Sequence, residues 1–351
     1  MWSWASWTAS RSVVVITSAW LLAEVSSSPV INSLLIAAQN LPAFLPLQRS
    51  NKGINAFFLA TILLEFIVVF LYFNLLPNWL LILLTLVVAL LASSGTTISL
   101  LPITGIVLKG GNITNQSLQR SADIGSLTGT LIGGITYPCF KLFPPAILLA
   151  LAPAWLNKSH MQKSAEQPSA KTEAHQSAPP LDHWCLLQGF CIGALFALLP
   201  LWVISIKEGS SIDFSLILGA FMLGRIFANR FLPKITIVTL YFLCTALIFI
   251  AFLPQVPLWL DVIVFVPLGA SIARIEFDLT DYLKQHGELS LRRDVLNRSL
   301  AIGAVFGGLI MGGIGQAIGV TPAMLLVSLL YGFAGVGTWR WRRTTTSLST
   351  N

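Results

Sequence analysis

QRSADIGSLTGTLIGG, residues 119–134, returns as NRSLAIGAVFGGLIMGG at residues 297–313. In each copy a polar residue and an arginine (Arg120, Arg298) precede a serine, and glycines follow at matched spacing, with one extra residue in the second copy. A proline-containing break follows both, at Pro144 and Pro145 in the first and at Pro322 in the second. The two arginines lie 178 residues apart in a chain of 351. A duplicated unit of about half the chain follows from this spacing, and a repeat in the same orientation requires an even number of helices in each half.

Composition says what those halves are made of. Apolar residues make up 55% of the chain and charged residues only 10%, against roughly 45–50% and 25% in soluble domains. Mean hydropathy is +0.78. A soluble core cannot hide that much apolar surface, so lipid is the solvent for much of it. Apolar runs long enough to cross a bilayer, about 20 residues each, occur near 4–25, 29–48, 55–74, 78–102, 119–138, 143–157, 182–204, 213–231, 235–254, 257–276, 296–318 and 321–340. The expected organisation is a six-helix bundle at 1–157, a polar cytoplasmic linker at 158–181, a second six-helix bundle at 182–343 and a cytoplasmic tail at 344–351. The Ser-rich stretch after the first span also fits a leader, but cleavage there would remove that span and break the six-plus-six count.

The net charge of +7 forms no basic stripe, so nucleic acid is not an expected partner. The 21 Lys and Arg fall instead between spans. With the N-terminus inside, only Lys141 and Lys207 lie on the outer side, as the positive-inside rule requires of cytoplasmic loops. Arg11, Arg225 and Arg274 lie within spans, on their cytoplasmic halves. Cys139, Cys185, Cys191 and Cys244 have no CxxC spacing and read as small core residues. The sequence has neither a GxxxxGK[ST] loop nor an HExxH pair, so ATP-driven transport and hydrolytic zinc chemistry have no support; no metal and no cofactor is expected.

Gly125, Gly129, Gly133 and Gly134 recur three to four residues apart and strip one face of the fifth span, which lets a neighbouring helix approach closely. GSLTGTLIGG resembles the fifth-helix antiporter motif of major facilitator superfamily exporters, with Thr130 in place of the motif's proline. WLLAEVSSSP (residues 20–29) and LLIAAQNLP (34–42) are similar to the first loop and second helix of its enterobactin-exporter and macrolide-efflux branch. The resemblance implies an all-α, major-facilitator-type membrane fold of about twelve helices, with spans 1, 4, 7 and 10 around a central cavity. It also implies a monomeric inner-membrane transporter with a small-molecule substrate and protons as partners. The chain departs from the family at PLQRSNKG (46–53), where the loop between spans 2 and 3 is short and lacks an acid.

Ionisable groups inside a span cost about 2.5–3.5 kcal/mol at mid-helix, so each one is a candidate for function. Glu24, Glu65 and Asp123 are the candidate proton carriers, Asp123 standing one turn from Arg120 as a local ion pair. Arg274, Glu276 and Asp278 close the tenth span; Arg120, Arg225, Arg274, Asp278 and Arg298 are the candidates for a cytoplasmic gate. Gln39, Asn40, Ser94, Thr97 and Gln188 are the cavity candidates, because an amide or hydroxyl in lipid needs a partner. The expected function is proton-coupled export of a small amphipathic molecule. The alternatives are a lysophospholipid flippase of the same fold and a non-transporting scaffold or sensor descended from a transporter.

Overall fold

The structure is a computed structural model that describes residues 2–44, 52–109, 115–138, 179–232, 235–253, 255–286 and 289–348. Among these residues there are eleven α-helices and no strand. They are α1 (Trp2–Val25), α2 (Pro29–Asn40), α3 (Lys52–Tyr72), α4 (Asn78–Lys109), α5 (Asn115–Thr136), α6 (His183–Ser205), α7 (Ser211–Phe231), α8 (Ile237–Ala251), α9 (Leu258–Tyr282), α10 (Leu289–Ile318) and α11 (Val320–Leu348). Seven of them carry windows long and apolar enough to cross a membrane, and α3 and α8 carry shorter apolar stretches, Ala56–Tyr72 and Ile237–Ala251. The sixth expected span (143–157), Cys139 and nearly all of the linker lie outside the described residues.

Eleven spans therefore appear as helices, but several ends move. α2 stops at Asn40 and tightens into a 3₁₀ turn, Leu41–Phe44, because Pro42 has no N–H to continue the ladder. In contrast, α4 runs on to Lys109, α10 begins at Leu289 and α11 reaches Leu348. Hydropathy sees only the part of a helix in lipid, whereas backbone hydrogen bonding continues through the polar turns beyond it. Caps mark the starts in the second half: the Asp182 carboxylate accepts from the N–H groups of Trp184 (2.9 Å) and Cys185 (3.0 Å). Ser210 and Asp213 form a reciprocal capping box on α7.

Glycines write the packing. A Cβ at Gly125 or Gly129 would overlap the carbonyls of Ala5 and Ala9, so α5 lies backbone to backbone on α1. Gly303 and Gly307 of α10 meet the carbonyls of Leu186 and Phe190 on α6 in the same way. Each helix glycine costs about 1 kcal/mol against Ala, and the close approach it permits offsets that cost.

The same repeat joins the halves. Gly134 of α5 seats on Ser211 and Ser215 of α7, while Gly312 of α10 seats on Pro29 and Ser33 of α2. Ser33 and Ser215 even back-bond alike, to the carbonyls of Val30 (2.7 Å) and Ile212 (3.0 Å). Arg120, Gly125, Gly129 and Gly134 thus correspond to Arg298, Gly303, Gly307 and Gly312 at one constant offset. The extra residue read into the second copy disappears, since Gly312, not Gly313, is the interface glycine; a Cβ on Gly313 would meet nothing.

The outer faces are lipid-like. Leu59, Ile62 and Phe66 line the exposed side of α3, and Leu329 and Phe333 that of α11, with Phe57, Leu64 and Ile67 turned inward.

Candidate functional site

An ionic cluster ties the two halves together where α5 begins and α7 and α9 end. Arg225 of α7 grips both oxygens of Glu276 on α9, at 3.1 and 2.8 Å, and its Nε donates to Asp123 Oδ1 of α5 at 3.1 Å. The side chains are nearly dry, 10% exposed for Arg225, 6% for Asp123 and 16% for Glu276. Gln119 Nε2 donates to the same Asp123 oxygen (3.1 Å), and Arg293 of α10 donates to Gln119 Oε1 (3.2 Å). Asp123 Oδ2 is buried and has no hydrogen-bond partner among the described residues. Gly219 of α7 lies against Leu127 and Leu131 of α5, so the small residue on the α7 side brings the two helices together near the contact of Asp123 with Arg225.

Beside this cluster, Arg274 pairs with Asp278 one turn on (3.1 Å) and donates to Asn229 Oδ1 (3.1 Å). Arg120, expected as the partner of Asp123, is exposed and stands apart from it. Asp123 is taken by Arg225, because α5 turns Asp123 toward α7 and Arg120 away. Arg298 donates to the carbonyl of Pro179 at the entry to α6. Of the expected gate residues, then, Arg225 bridges the halves, while Arg274 and Asp278 pair within the second.

A small cleft opens among α1, α2 and α4, lined by Arg11, Val14, Val15, Ser18, Gln39, Ala89, Ala92 and Ser93. Arg11, Val14, Val15 and Ser18 follow helical spacing and so share one face of α1. Ser93 donates to the Gln39 carbonyl and fixes α4 against α2. Gln39 is the one expected cavity residue on this cleft. Asn40 bonds its own helix at Ile36 O (2.8 Å), Ser94 is half-buried on α4, and the Thr97 side chain lies outside the described residues. Gln188 is fully buried in α6, and neither of its amide atoms has a partner among the described residues.

The two other acids sit elsewhere. Glu24 is exposed at the end of α1 and accepts from the Tyr137 hydroxyl at 2.6 Å. Glu65 lies mid-way along α3 with a buried, unpartnered Oε1. Sequence reasoning missed the pairing of Glu276 with Arg225, the Tyr137 contact, and the pair Lys207–Asp261. In that pair Nζ lies 3.2 Å from the carboxylate, with side chains 4% and 0% exposed, and the ammonium stands over the Trp202 ring at 4.6 Å. Lys207, expected on the outer side, is thus paired with a buried carboxylate. Arg11, read as lying within a span, is exposed where it lines the cleft.

No protein-family model and no curated protein matches the sequence. Solved structures do match the fold. A point mutant of the nucleoside transporter NupG is similar at TM-score 0.64 and 11% identity, over 96% of this chain and 98% of that one. A second structure of the nucleoside transporter NupG gives TM-score 0.59 and 14% identity, over 97% and 99%. A bacterial homolog of the human lysosomal transporter Spinster, inward-facing and occupied, gives 0.59 and 14%, over 97% and 95%. The chain has the major-facilitator-type fold, an all-α multi-pass membrane architecture.

Proposed function

We propose that this protein is a secondary active transporter that moves a small amphipathic solute by rocking its two halves, exporting it in exchange for protons. The observation that carries the reading is the bond between Asp123 and Arg225, a buried charge pair spanning the two halves of a fold that solved transporters share. Rocking needs an inter-half contact that can be made and broken, and a charge pair with one titratable member is such a contact. Asp123 suits that part better than Glu24 or Glu65. It alone of the three touches the opposite half, and its unpartnered Oδ2 offers a proton a place to land. Protonation removes the carboxylate charge, weakens the hold of Arg225 and leaves Arg225 with Glu276.

The distribution of Lys and Arg supports a cytoplasmic N-terminus and places this latch at the cytoplasmic end. Glycine seats on both inter-half helix pairs supply smooth pivots of matching geometry.

The test is reconstitution into liposomes carrying an internal pH dye, with a panel of amphipathic solutes and an imposed proton gradient. A solute whose movement collapses the gradient, with coupling lost in Asp123→Asn at normal expression, supports the reading. Absence of gradient-dependent flux for every solute would instead favour a non-transporting scaffold.

A further inference from the structure

We infer that the end of the second half where α6 and α8 stop and α9 starts is a monovalent-cation site, with the Lys207 ammonium as its resident cation. The inference stands apart from the transport reading: it concerns the opposite end of α9 from Glu276, and its test needs no flux.

The backbone aims Lys207 inward. α6 stops at Ser205, and the N–H groups of Ile206 and Lys207 still donate to the Trp202 carbonyl, at 3.1 and 3.2 Å. Glu208 then takes a left-handed conformation (φ 52°), and the Gly209 N–H returns to the Val203 carbonyl at 2.9 Å. A non-glycine residue in that region persists only where its surroundings over-determine it. The turn leaves Glu208 exposed and the Lys207 side chain 4% exposed.

The ammonium meets the groups that a bare cation takes. It donates to the Val256 carbonyl and to the Leu253 carbonyl (3.4 Å), both just past the end of α8. Asp261 Oδ2, on the first turn of α9, lies 3.2 Å away, and the Trp202 ring centre lies at 4.6 Å. Main-chain carbonyls replace a cation's hydration shell, helix C-termini favour positive charge, and an indole face attracts it. Phe252 packs edge-on against Trp202 at 4.8 Å and stiffens that wall.

Asp261 shows what kind of contact this is. It is fully buried, and neither of its oxygens has a hydrogen-bond partner among the described residues. Its hold on Lys207 is a contact of charges rather than a directed bond, and a spherical ion makes the same contact. One carboxylate among neutral carbonyls balances a single positive charge. A divalent ion would keep an uncompensated charge in a dry site, which is costly. The ligand class is therefore Na⁺ or K⁺, and the tethered ammonium takes its place.

The experiment measures thermal unfolding of the full chain in detergent, in N-methylglucamine, sodium and potassium chloride at equal ionic strength. Wild type should unfold at one temperature in all three salts, because Lys207 already fills the site. Lys207→Ala should unfold lowest in N-methylglucamine, which is too large to enter. Saturating Na⁺ or K⁺ should raise it by about 3 °C or more, the scale of a ligand bound well above its Kd. Adding Asp261→Asn to Lys207→Ala should abolish the response, and the better of the two ions identifies the size the cage prefers. Equal unfolding temperatures of Lys207→Ala in the three salts overturn the proposal. The same salt response in wild type or in the double variant also overturns it. If Lys207→Ala does not fold, Lys207→Met, which keeps the apolar stem without the charge, is taken through the same salts. A response to Na⁺ or K⁺ there supports the site, and a salt-independent or unfolded Lys207→Met overturns it.

Discussion

Arg225 holds Glu276 of its own half with two nitrogens and Asp123 of the other half with a third. One guanidinium thus makes a two-pronged contact within its own half and a single contact across the halves. Removing it orphans two nearly dry carboxylates, which for buried pairs costs about 3–5 kcal/mol. Arg225→Gln is expected to lower the unfolding temperature in detergent well below that of Asp123→Asn, which leaves the Glu276 clamp whole. Arg225→Lys should fall between them, since an ammonium cannot present the same fork. Equal unfolding temperatures for Arg225→Gln and Asp123→Asn would show that the clamp carries no weight.

Proton coupling should follow contact with the opposite half rather than position in a span. Glu24→Gln keeps an acceptor for the Tyr137 hydroxyl at an exposed helix end, and it is expected to leave the pH dependence of flux unchanged. Asp123→Asn should flatten it, measured as initial rate in liposomes across a pH series. A flattened profile in Glu24→Gln with a normal one in Asp123→Asn would reverse the assignment.

The interface glycines divide by what they touch. Gly129 faces the main chain of Ala9, which has nowhere to go, whereas Gly312 faces the hydroxyl and Cβ of Ser33 most closely. Both Gly129→Ala and Gly312→Ala should destabilise by about 1–3 kcal/mol through overpacking. Only Gly312→Ala should be repaired, in part, by a second change, Ser33→Gly. Thermal unfolding of the two single variants and the double variant checks this, and a double variant no better than Gly312→Ala would contradict it.

Lys207 and Asp261 form a sealed pair in the second half. Lys207→Met strands a buried carboxylate, so its unfolding temperature should drop sharply. Lys207→Met combined with Asp261→Leu should recover most of the loss, because replacing a whole buried pair by apolar groups is often neutral or better. Failure of the double variant to recover would mean that the pair has a function beyond packing.

Several features were already legible in the residues. The apolar runs gave helices at eleven of the expected places, and the Arg120 and Arg298 repeats marked a true structural duplication. Arg225, a candidate gate residue, was visible as a charge inside a span, but its partner was not. Asp123 has Arg120 one turn away, and local spacing favours that pairing until the facing of α5 is known. Gln188 illustrates the same limit: an amide in an apolar run suggests a cavity, and the structure buries it with no partner for its amide among the described residues.

The chain's own chemistry determined that it lives in lipid, that it is built twice, and where its helices run, because transfer of apolar side chains and hydrogen bonding along a helix are local or additive effects. Tertiary structure alone decided which charge meets which, placing Asp123 on Arg225, Lys207 on Asp261 and Arg11 on an open cleft. Those outcomes depend on the rotation of each helix about its axis, and that rotation is set by glycine faces meeting backbones more than a hundred residues away.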